Sequence, residues 1–77
     1  TVETPEKVWD KTKKRAQFFA VYKSLNQSYQ DILSYRYELS LSVKEIAAKM
    51  KLTFKATESL LYRARAAFAL AYNNYAE

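Results

Sequence analysis

The sequence predicts an all-α domain of four helices, and three observations carry that reading. The chain has no glycine and a single proline, Pro5, so the residues that make hairpins and tight strand turns are missing. Ala, Leu, Lys, Glu and Gln, all good helix formers, are abundant. Apolar residues recur at three- and four-residue spacing between clear stop and start signals. With 77 residues the chain holds one small domain, residues 1–77, and its hydrophobic fraction of 49% is ordinary for a chain that folds around a real core. Such a core is modest, and a few well-packed helices suffice to build it.

The first helix has Thr4 as its expected N-cap, Pro5 at its first position and Glu6 just after, and runs to about Lys23. Trp9, Ala16, Phe19 and Ala20 mark the side expected to be buried. Lys11, Lys13, Lys14 and Arg15 form a basic cluster that reads as a solvated face. The polar turn Asn26-Gln27-Ser28 then precedes a second helix reaching about Glu38, with Tyr29, Ile32, Leu33 and Tyr37 as its apolar positions. Leu39-Ser40-Leu41 connects to the third helix, whose start is the clearest local signal in the chain. Ser42-Val43-Lys44-Glu45 fits a capping box, in which Ser42 accepts from first-turn amides and Glu45 reaches back. Val43, Ile46, Ala47 and Met50 give this helix an inward stripe of about two turns. It must stop near Lys51, because Thr53 offers a fresh N-cap to a fourth helix running from Phe54 to about Asn73. Thr57, Leu60 or Leu61, Ala64, Phe68 and Ala71 form the stripe of that last helix.

Composition narrows the function. Cysteine is absent, which removes disulfides and thiolate metal sites, and histidine is absent, which removes the usual general base and zinc nitrogen ligand. The eight acidic residues are scattered and mostly near basic ones, so no enzyme activity, cofactor or metal is expected. No apolar run approaches the roughly 20 residues that span a bilayer. The longest mostly apolar stretch, Ala64 to Tyr72, is interrupted by Arg65, and no signal peptide is visible, so no membrane partner and a cytoplasmic location are expected. The chain begins at Thr1 without Met, as an excised piece of a longer protein would. Its formal charge of +5 favours a polyanionic partner such as nucleic acid. Residues 42–65 alone carry +4, from Lys44, Lys49, Lys51, Lys55, Arg63 and Arg65 against Glu45 and Glu58.

A short helix, a turn of about three residues and a longer helix with a basic first half is the layout of a helix-turn-helix. Ala47 is small where the two helices would cross. Ile46, Met50 and Leu52 are expected to fill the angle between them, with Thr57 and Leu61 as the facing wall. Lys55, Ala56, Glu58, Ser59, Tyr62 and Arg63 then point outward, where a major groove would receive them. An ordinary helical hairpin has the same spacing.

Two segments resemble region 4 of sigma-70-type bacterial sigma factors. Arg36-Tyr37-Glu38-Leu39-Ser40-Leu41-Ser42-Val43-Lys44-Glu45-Ile46-Ala47 is similar to the start of that region. Thr53-Phe54-Lys55-Ala56-Thr57-Glu58-Ser59-Leu60-Leu61-Tyr62-Arg63-Ala64-Arg65 is similar to its recognition helix, with the extracytoplasmic-function group as the nearest match. The resemblance covers about residues 25–70. It implies the C-terminal domain of a sigma factor, binding the −35 promoter element, holding the flap of RNA polymerase and often masked by an anti-sigma protein. By the same resemblance, Glu58, Ser59, Tyr62 and Arg63 fall where the family touches −35 bases and nearby phosphates, and Arg36 where a helix-two arginine anchors the DNA. Ser42 and Lys44 at the amide end of helix three, and Lys55 on helix four, complete the DNA-binding candidates.

Chemistry gives each candidate a second reading. Arg63 can take a guanine edge or a phosphate, and Glu58 can accept from a cytosine amine or pair with Lys55. Tyr62 can meet a thymine methyl or simply pack. Arg63 and Arg65 cannot share one helical face, so one is expected toward DNA, with Arg63 preferred, and the other toward a helix dipole or an acidic partner. The sequence departs from the family at Lys51, where glycine is frequent, and at Asn26, which replaces a usual proline and should weaken the second helix's cap. Leu60 stands where many relatives are basic. Two alternatives share the same helices. A LuxR-type regulator has the Lys44-Glu45-Ile46-Ala47 opening but usually lacks the arginine pair. A protein-docking module would use Phe18, Phe19, Tyr72 and Tyr75.

Overall fold

The computed structural model describes the backbone of residues 5–75 and the side chains of residues 14–75. Four α-helices follow one another: α1 (Pro5–Ser24), α2 (Gln27–Leu33), α3 (Val43–Met50) and α4 (Phe54–Tyr75). The expected all-α fold is therefore present, and α2 continues into one wide π-helical turn over Ser34–Glu38. The cap expected at Thr4 and the burial expected of Trp9 lie outside the described residues, as do the side chains of Lys11 and Lys13.

Each inner helix start has a local cause. Asn26 turns out to cap α2 itself, its side chain accepting from the Tyr29 amide at 2.9 Å, so the replacement of proline there does not weaken the cap. Ser42 and Glu45 form the full capping box at α3. At α4 the Thr53 hydroxyl accepts from the Ala56 amide at 3.0 Å. Between α3 and α4 the chain reverses through Lys51, which adopts the left-handed conformation with φ 58° and ψ 44°. The Leu52 amide then reaches the Ala47 carbonyl at 2.9 Å and the Lys51 amide the Ala48 carbonyl at 3.4 Å, a Schellman ending on a non-glycine residue.

The long α4 is the spine, with α1, α2 and α3 packed against it. The core joins Ile32 and Leu33 of α2, Ile46 of α3, and Leu61 and Ala64 of α4. Thr57 is fully buried within this wall, and its hydroxyl donates to the Thr53 carbonyl at 2.8 Å, so no polar atom is stranded there. The expected stripes of α3 and α4 hold. That of α1 does not: Ala16 is exposed and Phe19 is 58% exposed, whereas Val21 is 2% exposed and Tyr22 and Leu25 pack against the core. Among the described side chains of α1, the inward line is displaced toward the end of the helix, where Val21 and Tyr22 meet the core. Leu52, expected inside the helix-turn-helix angle, is 38% exposed, and Tyr37 is 59% exposed because the π turn carries it outward.

Candidate nucleic-acid interface

The buried line Thr57, Leu61 and Ala64 fixes which way α4 faces. Opposite it, Lys55, Ala56, Glu58, Ser59, Tyr62 and Arg63 are all exposed, with Tyr62 at 73%. Glu58, Ser59, Tyr62 and Arg63 line one shallow depression on the surface of α4. Four of the candidates named from sequence therefore come together in space. Lys55 lies one turn before Ser59, on the same side of the helix. The Arg63 Nε approaches its own helix at the Ser59 carbonyl, 3.4 Å away, and among the described residues the side chain has no hydrogen bond to another element. A donor-rich, planar cation on an exposed helix face beside a carboxylate, a hydroxyl and a phenol suits base edges and phosphates in a major groove.

The start of α3 is occupied by the capping box expected from the sequence. The Ser42 amide donates to the Glu45 Oε1 at 3.0 Å, and the Ser42 Oγ accepts from the Glu45 amide at 3.1 Å. Ser42 thus has its amide engaged within the helix, leaving the Val43 and Lys44 amides as first-turn donors for an anion. The Ser42 amide, and secondly its hydroxyl, hold the Glu45 carboxyl below the usual carboxylate range. Lys44 is exposed beside it and offsets that negative charge toward a phosphate.

Arg36 is tied to its own chain. It is half-buried, and its Nη1 donates to the Leu41 carbonyl at 3.1 Å, immediately before the α3 cap. Its Nε is enclosed and finds no acceptor among the described residues. Arg36 thus braces the connection that leads into α3. Arg65 is resolved in an unexpected way. Its partner is neither a dipole nor an acid but Tyr37, whose phenol oxygen accepts from the Arg65 Nε at 2.6 Å and whose ring centroid lies 5.7 Å from the guanidinium. Lys49 likewise stands over the Tyr35 ring at 5.5 Å. These aromatic contacts join helices distant in sequence, and the only trace of them in the sequence is the divergence that an Arg-x-Arg spacing forces on a helix.

A second surface lies toward the other end of α4. Phe18 and Phe68 meet with ring centroids 4.8 Å apart, and Phe68 stacks on Tyr72 at 6.0 Å. Phe18 and Phe68 together separate two apolar hollows of one trough between α1 and α4. Phe19, Lys14 and Arg15 border one side, and Tyr22, Leu33, Tyr37 and Arg65 the other. Tyr75, grouped with these aromatics from sequence, is exposed at 58% but does not line the trough. Arg65, on the trough, and Arg63, on the recognition face, are two residues apart and about 200° apart around the helix, so the trough and the recognition face are separate surfaces.

No helix of the described residues is long and apolar enough to cross a membrane. Residues 20–68 match the family model described as Sigma-70, region 4. No curated protein and no solved structure matches the chain.

Proposed function

The chain belongs to the sigma-70 region 4 family, a DNA-binding component of transcription initiation, and on that premise we propose that it reads the −35 promoter element through α4. The observation that carries the proposal is the joint exposure of Glu58, Ser59, Tyr62 and Arg63 on one patch of the recognition helix. Arg63 takes a guanine edge, Glu58 a cytosine amine, Tyr62 a thymine methyl, and Ser59 the adjacent backbone. Lys55, Lys44 and the α3 amides meet phosphates, which position the domain without carrying sequence information. Arg36 supports them by holding the Leu41 carbonyl in front of α3. Such a module works as the C-terminal domain of a longer sigma factor of the extracytoplasmic-function group, in the cytoplasm where promoter DNA lies.

The trough between α1 and α4 supports the second half of the reading, docking to the flap of RNA polymerase. It is apolar and opens on the side of α4 that carries Arg65 and Phe68, turned away from Arg63 around the helix axis, and so it can be filled while α4 sits on DNA. The protein-docking surface seen in Phe18, Phe19 and Tyr72 is then a second face of the same module rather than a rival function. An anti-sigma protein would act by covering these two faces.

Titration against duplexes at several salt concentrations tests the proposal. An asymmetric −35-like site should be bound one to one, with affinity that falls steeply as salt rises. Preference for a palindrome bound by two copies would instead support a LuxR-like regulator. Phe19→Asp, at a side chain that is 58% exposed, should weaken binding to core RNA polymerase and leave DNA affinity unchanged. Loss of neither would remove the trough from the account.

A further inference from the structure

Arg63 and Arg65 are two residues apart on α4, so about 200° of helix rotation separates their side chains. Among the described residues, Arg63 is held by a long contact to its own helix alone. Arg65 is exposed as well, yet its head is tethered by a charge-assisted hydrogen bond and a cation–π contact to one side chain, Tyr37. Burial does not account for Tyr37, because 59% of it is exposed. The wide π turn Ser34–Glu38 presents it to α4. That same turn is fixed to α3 by Lys49 over Tyr35, and to the residue before the α3 cap by Arg36 on the Leu41 carbonyl. One segment of five residues therefore touches both helices of the helix-turn-helix.

We propose that Tyr37 is a positioning residue for DNA recognition: by clamping Arg65 on the α2 side, it leaves Arg63 as the one arginine of the pair that α4 offers to the duplex. This rests on reading α4 as the DNA-facing helix. The clamp does two things. It holds the Arg65 head against the π turn, on a helix whose roll the buried line Thr57, Leu61 and Ala64 already fixes. It also keeps a long, flexible cation from the phosphates at the groove edge, where it would add affinity for any sequence alike. Specificity here depends as much on what α4 withholds as on what it presents.

The 77-residue chain is titrated with a −35-like duplex and a scrambled duplex of equal composition across a salt series. The variants are Tyr37→Phe, Tyr37→Ala, Tyr37→Ala/Arg65→Ala and Arg63→Ala. Tyr37→Ala should reduce the preference for the −35-like duplex about fivefold, the size of an exposed cation–π contact. It should also steepen the salt dependence on scrambled DNA by about 0.9 in the slope of log K against log[salt], one phosphate contact. Removing Arg65 as well should return that slope to the wild-type value, and Tyr37→Phe should move both readouts the same way by less. A lowered melting temperature with unchanged preference and slope would mean that Tyr37 is only structural, and would overturn the clamp. Should the alanine variant not fold, Tyr37→Phe decides, and wild-type preference and slope in it overturn the clamp equally. If the wild type shows no preference and Arg63→Ala binds as it does, the DNA-facing reading of α4 falls and the clamp falls with it.

Discussion

At Lys51 the side chain and the backbone are in conflict. The turn between α3 and α4 requires the left-handed conformation, and Lys51 supplies it at φ 58°. A Cβ in that region crowds the neighbouring carbonyl and costs on the order of 1 kcal/mol. Lys51→Gly should therefore stabilise the fold by about 1 kcal/mol, after allowing for the looser unfolded chain. For a domain of this size the melting temperature should rise by roughly 4–8 °C; a thermal melt showing a fall would contradict the turn geometry. This position is legible in the sequence, because a helix that must stop before Thr53 has only Lys51 and Leu52 in which to turn. Ser40, the other non-glycine residue with positive φ at 55°, is not. Its conformation follows from the π turn before it, and the residues Ser34–Glu38 are as compatible with a plain α-helix.

Among the elements, α3 depends most on its ends. It has eight residues, fewer than the roughly 12–15 that an isolated helix needs even to be marginal in water. Ser42→Ala removes the acceptor for the Glu45 amide and should cost about 1 kcal/mol of stability, measured by denaturant unfolding. No loss would mean the capping box is dispensable. The partner carboxylate gives this cap a pH dependence. Glu45 has a folded-state pKa below its ordinary value, so its contribution is fully present above the ordinary pKa and disappears as pH falls through the lowered one. Wild type should thus lose stability over that acidic range more than Glu45→Gln does, and parallel curves would show the carboxylate to be idle. Capping signals span three or four residues, which is why α3 and α4 start where the sequence places them, whereas α2 starts at Gln27, inside the polar turn expected to precede it, because Asn26 is its cap. The face of α1 is a different problem. Phe18 and Phe19 are adjacent, and periodicity alone cannot say which one meets Phe68. Packing against a helix about 50 residues away decides it. The Tyr37–Arg65 clamp is equally non-local, its partners 28 positions apart in sequence.

The whole molecule rests on a small core tied together by α4. Ile32 of α2 and Ile46 of α3 are both 0% exposed against α4. Replacing Ile46 by Ala should cost 2–5 kcal/mol by lost burial and cavity formation, about the scale of the whole stability of a small domain. Circular dichroism at 37 °C should then show a substantial unfolded fraction, and a well-folded variant would mean the core relaxes around the gap. The packing that makes this core also divides the surface in two, with a recognition face on the first half of α4 and an aromatic trough along the second. The central claim concerns the first of these. It is tested most directly by the affinity of wild type and Arg63→Ala for −35-like and scrambled duplexes at low salt. The account predicts that the wild type prefers the −35-like duplex and that Arg63→Ala loses about 1–3 kcal/mol on it, and less on the scrambled one. Equal binding of both proteins to both duplexes would contradict recognition through α4.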